Sequence, residues 1–194
     1  MCLLIETIKI SNRRPLNIKY HNERFNRSRK ELFGIESSIY LENEIQIPEN
    51  LTDKIYKCRI IYGKQIEKIE FELYKPKIIR SLKLVEDNDI EYGYKFSDRS
   101  KINELFEQRG GCDDVLIVKN GFVTDTSIAN IIFWDGVKWI TPSTALLRGT
   151  ARQRLIDNKS IFEKEITVKN LHTFKKIRII NSMMEQELNG GVIK

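Results

Sequence analysis

Three places in this chain carry residue types that could do chemistry. The first is Lys95, in "EYGYKFSDRS". It stands between a strand-like segment and the helix expected after Asp98, with "YGY" before it and Phe96 after it. A lysine in partly apolar company loses its proton more easily, which suits Schiff-base chemistry. On spacing alone, the competing reading is a solvated lysine, one of many here. The second is Asp125, in "LIVKNGFVTDTSIANIIFWDG", a lone acid between two apolar runs that read as buried strands. Its ordinary reading is a turn or N-cap acid. The third is "RGTAR", where a helix opens from Gly149 after a Pro-containing loop. Free N–H groups and the positive end of the helix dipole favour an anion at such a start. Gly149 lets the backbone come close and Thr150 adds a hydroxyl, yet most helices that open on a glycine bind nothing.

Composition limits what these residues can belong to. The chain has 194 residues, enough for one good core or two small ones, and 41% of them are hydrophobic. No apolar run is long enough to span a membrane. The first residues, "MCLLIETIKI", carry Glu6 and Lys9 and no basic leader, so no signal peptide is expected. Cys2, Cys58 and Cys112 are widely spaced and form no CxxC, which suits a reduced cytoplasm. With two histidines and such scattered cysteines, no metal site is expected. The net charge of +6 permits nucleic acid or an anionic ligand. The Lys and Arg are interspersed with Asp and Glu, so a solvated surface is the simpler reading.

The elements that must position the three sites follow from periodicity. "LLIETIKI" reads as a strand, and "PLNIKYHNERFNRSRKELFG" as a helix with Phe25, Leu32 and Phe33 near one face and Gly34 as its stop. "KCRIIYG" and "KIIRSLKLV" read as strands. So does "IEKIEFELY", where Ile69, Phe71 and Leu73 alternate with Lys68, Glu70 and Glu72. The charged stretch around "VEDNDIEYG" is the best boundary, giving a small α+β domain over residues 1–86 and a larger domain over 87–194. In the second half, Asp98 caps a helix whose Ile102, Leu105 and Phe106 share a face, and Gly110 and Gly111 end it. Two hairpins turn at Asn-Gly and Asp-Gly. "GTARQRLIDN" starts a helix, and "KKIRIINS" reads as the last strand.

Taken together, "ETIKISNRRPLNIKYHNERF", "YKFSDRSKIN", "GFVTDTSIANIIFWDG" and "WITPSTALLRGTAR" come in the order and at the spacing of one family. The chain resembles the class IV aminotransferases, the fold-type-IV pyridoxal-phosphate enzymes, and among them the aminodeoxychorismate lyases. The resemblance covers nearly the whole chain and is strongest from Tyr94 to Leu155. It implies an α+β fold of two domains, like that of the D-amino-acid aminotransferases, with pyridoxal 5′-phosphate between them. A homodimer acting on a small-molecule substrate in the cytoplasm is also implied, with neither nucleic acid nor membrane as partner.

The resemblance also implies roles. Lys95 matches the lysine that links covalently to the cofactor and then shuttles protons. Asp125 stands where the family usually has Glu, the partner of the pyridine nitrogen; the shorter side chain requires ring or backbone to sit closer. Gly149, Thr150 and Ala151 match the phosphate loop. Arg24 matches the arginine of a His-x-x-Arg helix that also reaches the phosphate, and is expected on a polar helix face. Ala129 and Asn130 match a pair whose backbone and side chain line the cofactor. Arg59 matches a basic position facing a substrate carboxylate, and Asn181 and Ser182 match an Asn-Ser pair near the site. Family members usually begin further upstream, so a trimmed form or a more open pocket is expected. The implied reaction is the release of pyruvate from 4-amino-4-deoxychorismate to give 4-aminobenzoate, on the folate path. The alternatives are a branched-chain or D-amino-acid transaminase and, from another class, a non-catalytic basic binding protein.

Overall fold

The computed structural model describes residues 2–188 and 192–193. The chain forms two compact units, one of Met1–Pro76 with Tyr94–Asp98 and one of Lys77–Gly93 with Arg99–Lys194. The fold is α+β.

The first unit is built on a four-stranded antiparallel sheet in the order β2-β1-β3-β4. Its strands are β1 (Leu4–Ser11), β2 (Arg14–Pro15), β3 (Tyr56–Tyr62) and β4 (Ile66–Leu73). Between β2 and β3 lie α1 (Ile18–Phe33) and the single turn α2 (Leu41–Glu44). Leu4, Ile8 and Ile10 of β1 pack with Cys58, Ile60 and Tyr62 of β3 and Phe25 of α1. The helix ends as its sequence predicts, with Gly34 at φ 68° and its N–H on the Lys30 carbonyl at 3.0 Å. It begins at Ile18 rather than Pro15, because Pro15 pairs with β1.

The buried face of α1 differs from the predicted one. His21, Arg24, Phe25, Ser28 and Arg29 are buried at helical spacing, while Leu32 is 38% exposed. Polar groups therefore form most of the face that meets the sheet, and they are paired. Arg29, for example, donates to the carbonyls of Lys64 at 3.0 Å and Ser37 at 2.8 Å.

The second unit holds the larger sheet, with β5 (Ser81–Glu86), β6 (Asp114–Lys119), β7 (Phe122–Thr126), β8 (Asn130–Trp134), β9 (Trp139–Pro142), β10 (Ile161–Lys164), β11 (Lys176–Ile180), β12 (Glu185–Glu187) and β13 (Val192–Ile193). Its main path runs β10-β9-β8-β7-β6-β5-β13, and β11 pairs with both β8 and β12. β6 and β8 are buried almost throughout, which accounts for their near-continuous apolar runs. On one side, α3 (Ser100–Glu107) places Ile102 and Leu105 against Val85, Val115 and Ile117. Elsewhere, α4 (Thr150–Asp157) packs Leu155 on Ile132, Ile161 and Ile180. The Asn120-Gly121 hairpin has φ of 52° and 77°, the left-handed pair a tight two-residue turn requires.

Three sequence expectations change. The division at residue 86 moves, because β5 pairs in parallel with β6 and so belongs to the larger sheet. Lys95 moves the other way: its carbonyl accepts from Ile5 N–H at 2.9 Å, and Phe96 bridges to Leu4, so Tyr94–Asp98 belongs with β1. β11 is not the last strand, since β12 and β13 follow it. In addition, α3 has Arg99 rather than Asp98 in its N-cap position, and Phe106 is half-buried under the cations of Lys77 and Arg109.

Candidate functional site

In the second unit, Asp125 and Asn130 are brought together by the turn between β7 and β8. Thr126 closes this turn, donating its N–H to the Ala129 carbonyl at 2.9 Å and accepting from Ala129 N–H at 3.1 Å. Asp125 and Asn130 are then cross-strand partners, and their side chains meet. Asn130 Nδ2 donates to Asp125 Oδ1 at 2.7 Å and to the Leu147 carbonyl at 2.9 Å. Leu147 N–H donates to the other carboxylate oxygen, Oδ2, at 2.9 Å. Asp125 is only 5% exposed. Burial pushes its pKa up to about 6, against the smaller opposing effects of Leu147, Asn130 and Arg152.

The chain runs from Leu147 into the start of α4. Gly149 has an ordinary extended backbone, φ −67° and ψ 143°, so conformation does not demand glycine here. Space does, because a Cβ at this position would overlap Asn130 Oδ1. Thr150, Ala151 and Arg152 are buried, no acid stands in the first turn, and among the described residues no side chain caps the helix from its Gly149 N-cap. The first N–H groups of any helix lack intrahelical acceptors, and a buried start without a cap is a ready set of donors for an anion. Arg152 fastens this start to the sheet. It donates to Thr141 Oγ1 at 3.2 Å, the Pro142 carbonyl at 2.8 Å and Glu163 Oε1 at 2.6 Å.

Asn181 and Ser182 follow β11. The Asn181 side chain donates to the Ile128 carbonyl at 3.2 Å and accepts from Met183 and Met184 N–H at 2.8 and 3.0 Å. It ties the end of β11 to the 126–129 turn that carries Ala129. Ser182 is half-buried beside it.

In the first unit, Glu6 occupies the inward row of β1 between Leu4 and Ile8, and it is fully buried. Arg24 meets it at two points, Nε to Oε1 at 2.8 Å and Nη2 to Oε2 at 2.7 Å. His21 Nδ1 lies 2.6 Å from Glu6 Oε2. Burial alone would raise the Glu6 pKa, but Arg24 and His21 together bring it down to about 2. His21 is pushed below its ordinary value, first by burial and also by the charges of Arg24 and Lys95, against the pull of Glu6. Lys95 thus lies within electrostatic reach of this cluster. Arg24 is 6% exposed and ion-paired: the polar face that carries it is the inward face of α1, not a solvated one. Arg59 lies on β3 between Thr7 of β1 and Glu70 of β4, and its Nε is buried without a hydrogen-bond partner among the described residues.

The sequence reading did not single out Glu6, His21, Leu147 or Arg152. Glu6 stands in a strand whose alternation puts it in the buried row, and His21 and Arg24 follow three apart on one helix face. That combination was the available signal.

Comparison with known proteins places the chain in a family. A profile described as amino-transferase class IV matches residues 98–186. An uncharacterized protein of Haemophilus influenzae is 44% identical over 183 residues, covering 93% of this chain and 97% of its own length. A crystal structure described as a "putative 4-amino-4-deoxychorismate lyase", from Haemophilus somnus, is 34% identical, covers 94% of this chain and 97% of its own, and has a TM-score of 0.88. The chain belongs to the class IV aminotransferases. A PLP-bound "hypothetical aminotransferase" from Mycobacterium tuberculosis shares the fold at a TM-score of 0.80, with 15% identity, 97% of this chain covered and 81% of its own. Within this class IV aminotransferase, Asp125, Asn130, Gly149, Thr150 and Asn181 fall inside the matched stretch, and Arg24 and Lys95 lie ahead of it.

Proposed function

We propose that this class IV aminotransferase uses pyridoxal 5′-phosphate to release pyruvate from 4-amino-4-deoxychorismate, leaving 4-aminobenzoate. The observation that carries the cofactor reading is the pairing of two features in the second unit. Asp125 is a buried carboxylate held by the neutral donors Leu147 N–H and Asn130 Nδ2, and it is joined through Asn130 to a buried, uncapped helix start. Such a carboxylate suits a protonated ring nitrogen, and such a helix start suits a phosphate. The residues present therefore fit the group. Bound there, the cofactor supplies an electron sink for a carbanion.

The chain's own residues do the rest. Lys95 Nζ would hold the cofactor and, as a free amine, would take up a substrate proton. Asp125 holds a proton on the ring nitrogen by staying ionised beside it. Thr150, Ala151 and the N–H groups at the start of α4 bind the phosphate, with Gly149 allowing the close approach. Arg24 is a candidate cation for the phosphate; Glu6 meets its guanidinium at two points and so fixes its plane. Ala129 and Asn130 border the cofactor. Arg59, whose buried Nε has no partner among the described residues, is a candidate for a substrate carboxylate, and Asn181 and Ser182 are candidates for substrate contact in the larger unit.

The lyase reaction balances without a second substrate: the enolpyruvyl group leaves as pyruvate while the ring becomes aromatic. A transaminase needs a keto-acid acceptor, and this separates the two readings. The likeness to the Haemophilus somnus structure supports the lyase. Purified protein loaded with pyridoxal phosphate is expected to release pyruvate from 4-amino-4-deoxychorismate with no keto acid present. Turnover of amino acids that starts only on adding a keto acid would favour the transaminase. The reading includes a homodimer working in the cytoplasm on this folate step.

A further inference from the structure

Asn130 opens β8 directly across from Asp125. Its amide nitrogen faces two acceptors, Asp125 Oδ1 at 2.7 Å and the Leu147 carbonyl at 2.9 Å. Both contacts are acceptors, so chemistry alone places the NH2 there, and both of its hydrogens are taken. Leu147 N–H returns to Asp125 Oδ2 at 2.9 Å and closes the ring of three residues. The other end of the amide, Oδ1, rests against Gly149, where a side chain could not fit. Asn130 is 5% exposed and Thr150, the first residue of α4, is 5% exposed.

We propose that Asn130 is a positioning residue that clasps the Asp125 carboxylate to the segment opening α4, so that one amide sets both the ring-nitrogen end and the phosphate end of the cofactor site. The inference rests on the cofactor reading above and deepens it. The amide hydrogens work inside the protein, so the residue acts through Asp125 and through the 147–150 segment. Donors fixed in advance toward a carboxylate need no rearrangement when a ligand arrives. The clasp also gives Gly149 its reason. Glycine is kept there because the Asn130 amide lies where a Cβ would be.

Three substitutions probe the clasp. Asn130→Asp is nearly isosteric but sets a carboxylate against two acceptors. Asn130→Ala removes the amide, and Gly149→Ala displaces it without changing Asn130 or Asp125. Two readouts are used: the titration of the Asp125 side-chain carbon by NMR in cofactor-free protein, and separate dissociation constants for pyridoxal phosphate, pyridoxal and inorganic phosphate. Arg152 is the charge acting on Asp125 from α4, and it is unchanged in all three variants.

The clasp predicts that Asn130→Asp and Asn130→Ala move the Asp125 titration to higher pH. They also weaken pyridoxal phosphate by about ten- to a hundredfold, the scale of a hydrogen bond to a charged group. Pyridoxal and inorganic phosphate both weaken, because both ends are set by the same amide. Gly149→Ala reproduces the effect, and combining it with Asn130→Ala adds little. An unmoved Asp125 titration, or a loss confined to pyridoxal with phosphate unaffected, overturns the proposal. If wild-type protein binds neither pyridoxal nor pyridoxal phosphate, yet Asn130→Asp still moves Asp125 and weakens inorganic phosphate, the clasp stands and the cofactor reading falls.

Discussion

Arg24 and Glu6 form a two-point ion pair inside the first unit, with Nε on Oε1 at 2.8 Å and Nη2 on Oε2 at 2.7 Å. Both side chains are buried, and His21 completes the cluster. Breaking a buried pair costs more than losing its attraction, because the remaining charge stays desolvated. Arg24→Ala is therefore expected to destabilise the protein by about 3–5 kcal/mol. Pairing it with Glu6→Ala should recover part of that loss, as the stranded carboxylate is gone. Urea unfolding of the two single variants and the double gives the answer. An additive double variant would mean that the two residues do not share an interaction.

The pH dependence of stability isolates Asp125. Its folded pKa of about 6 lies above the ordinary aspartate value, so the folded state holds a proton that the unfolded state has released between about pH 4 and 6. Stability from this group is present at low pH and lost as pH rises through that window. Glu6 runs the opposite way: its folded pKa of about 2 gives stability that is present above about 4.5 and lost as pH falls. Compared with wild type in the cofactor-free state, Asp125→Asn should gain stability as pH rises from about 4 to 6.5, by on the order of 2 kcal/mol. A pH-independent difference between the two proteins would place the Asp125 carboxyl in an ordinary environment.

With cofactor bound, the same substitution removes a preorganised charge. Asp125→Asn is expected to keep its fold and its cofactor and to lose roughly a hundredfold or more in rate. Asp125→Glu, the acid usual in the family, should keep part of the activity. Kinetics of Asp125→Asn equal to wild type would show that the carboxylate takes no part.

Arg152 holds the start of α4 to β9 and β10 through Thr141, Pro142 and Glu163. Arg152→Ala should lower stability by about 2–3 kcal/mol, since Thr141 and Pro142 are buried and their oxygens lose this donor. It should weaken phosphate binding as well, by loosening the helix start. Thr150→Ala should cost much less affinity, because the backbone donors remain. Parallel titrations with inorganic phosphate test the order of the two variants.

The sequence made the local features legible because their causes are local. Asn120-Gly121 can adopt the left-handed pair of a tight turn, and Gly34 the αL stop of α1. Asp125 was visible as an acid between apolar runs. Other features have nonlocal causes. The inward row of β1 contains Glu6, whose counterion lies 18 positions along the chain on a helix that carries almost no apolar stripe there. The charged stretch near residue 88 reads as a boundary. In the structure, the parallel pairing of β5 with β6 draws Ser81–Glu86 into the larger unit, and hydrogen bonds to β1 draw Lys95 into the smaller one. Parallel pairing leaves no turn signature for a sequence to reveal.

The central claim is that Lys95 carries the cofactor, and borohydride reduction tests it most directly. Protein incubated with pyridoxal phosphate and reduced should hold one phosphopyridoxyl group, located by peptide mass spectrometry on the segment containing Lys95. Lys95→Ala should remain unlabelled while still binding the cofactor reversibly through the intact start of α4. Stoichiometric labelling on a different lysine, or labelling of Lys95→Ala equal to wild type, would contradict the account.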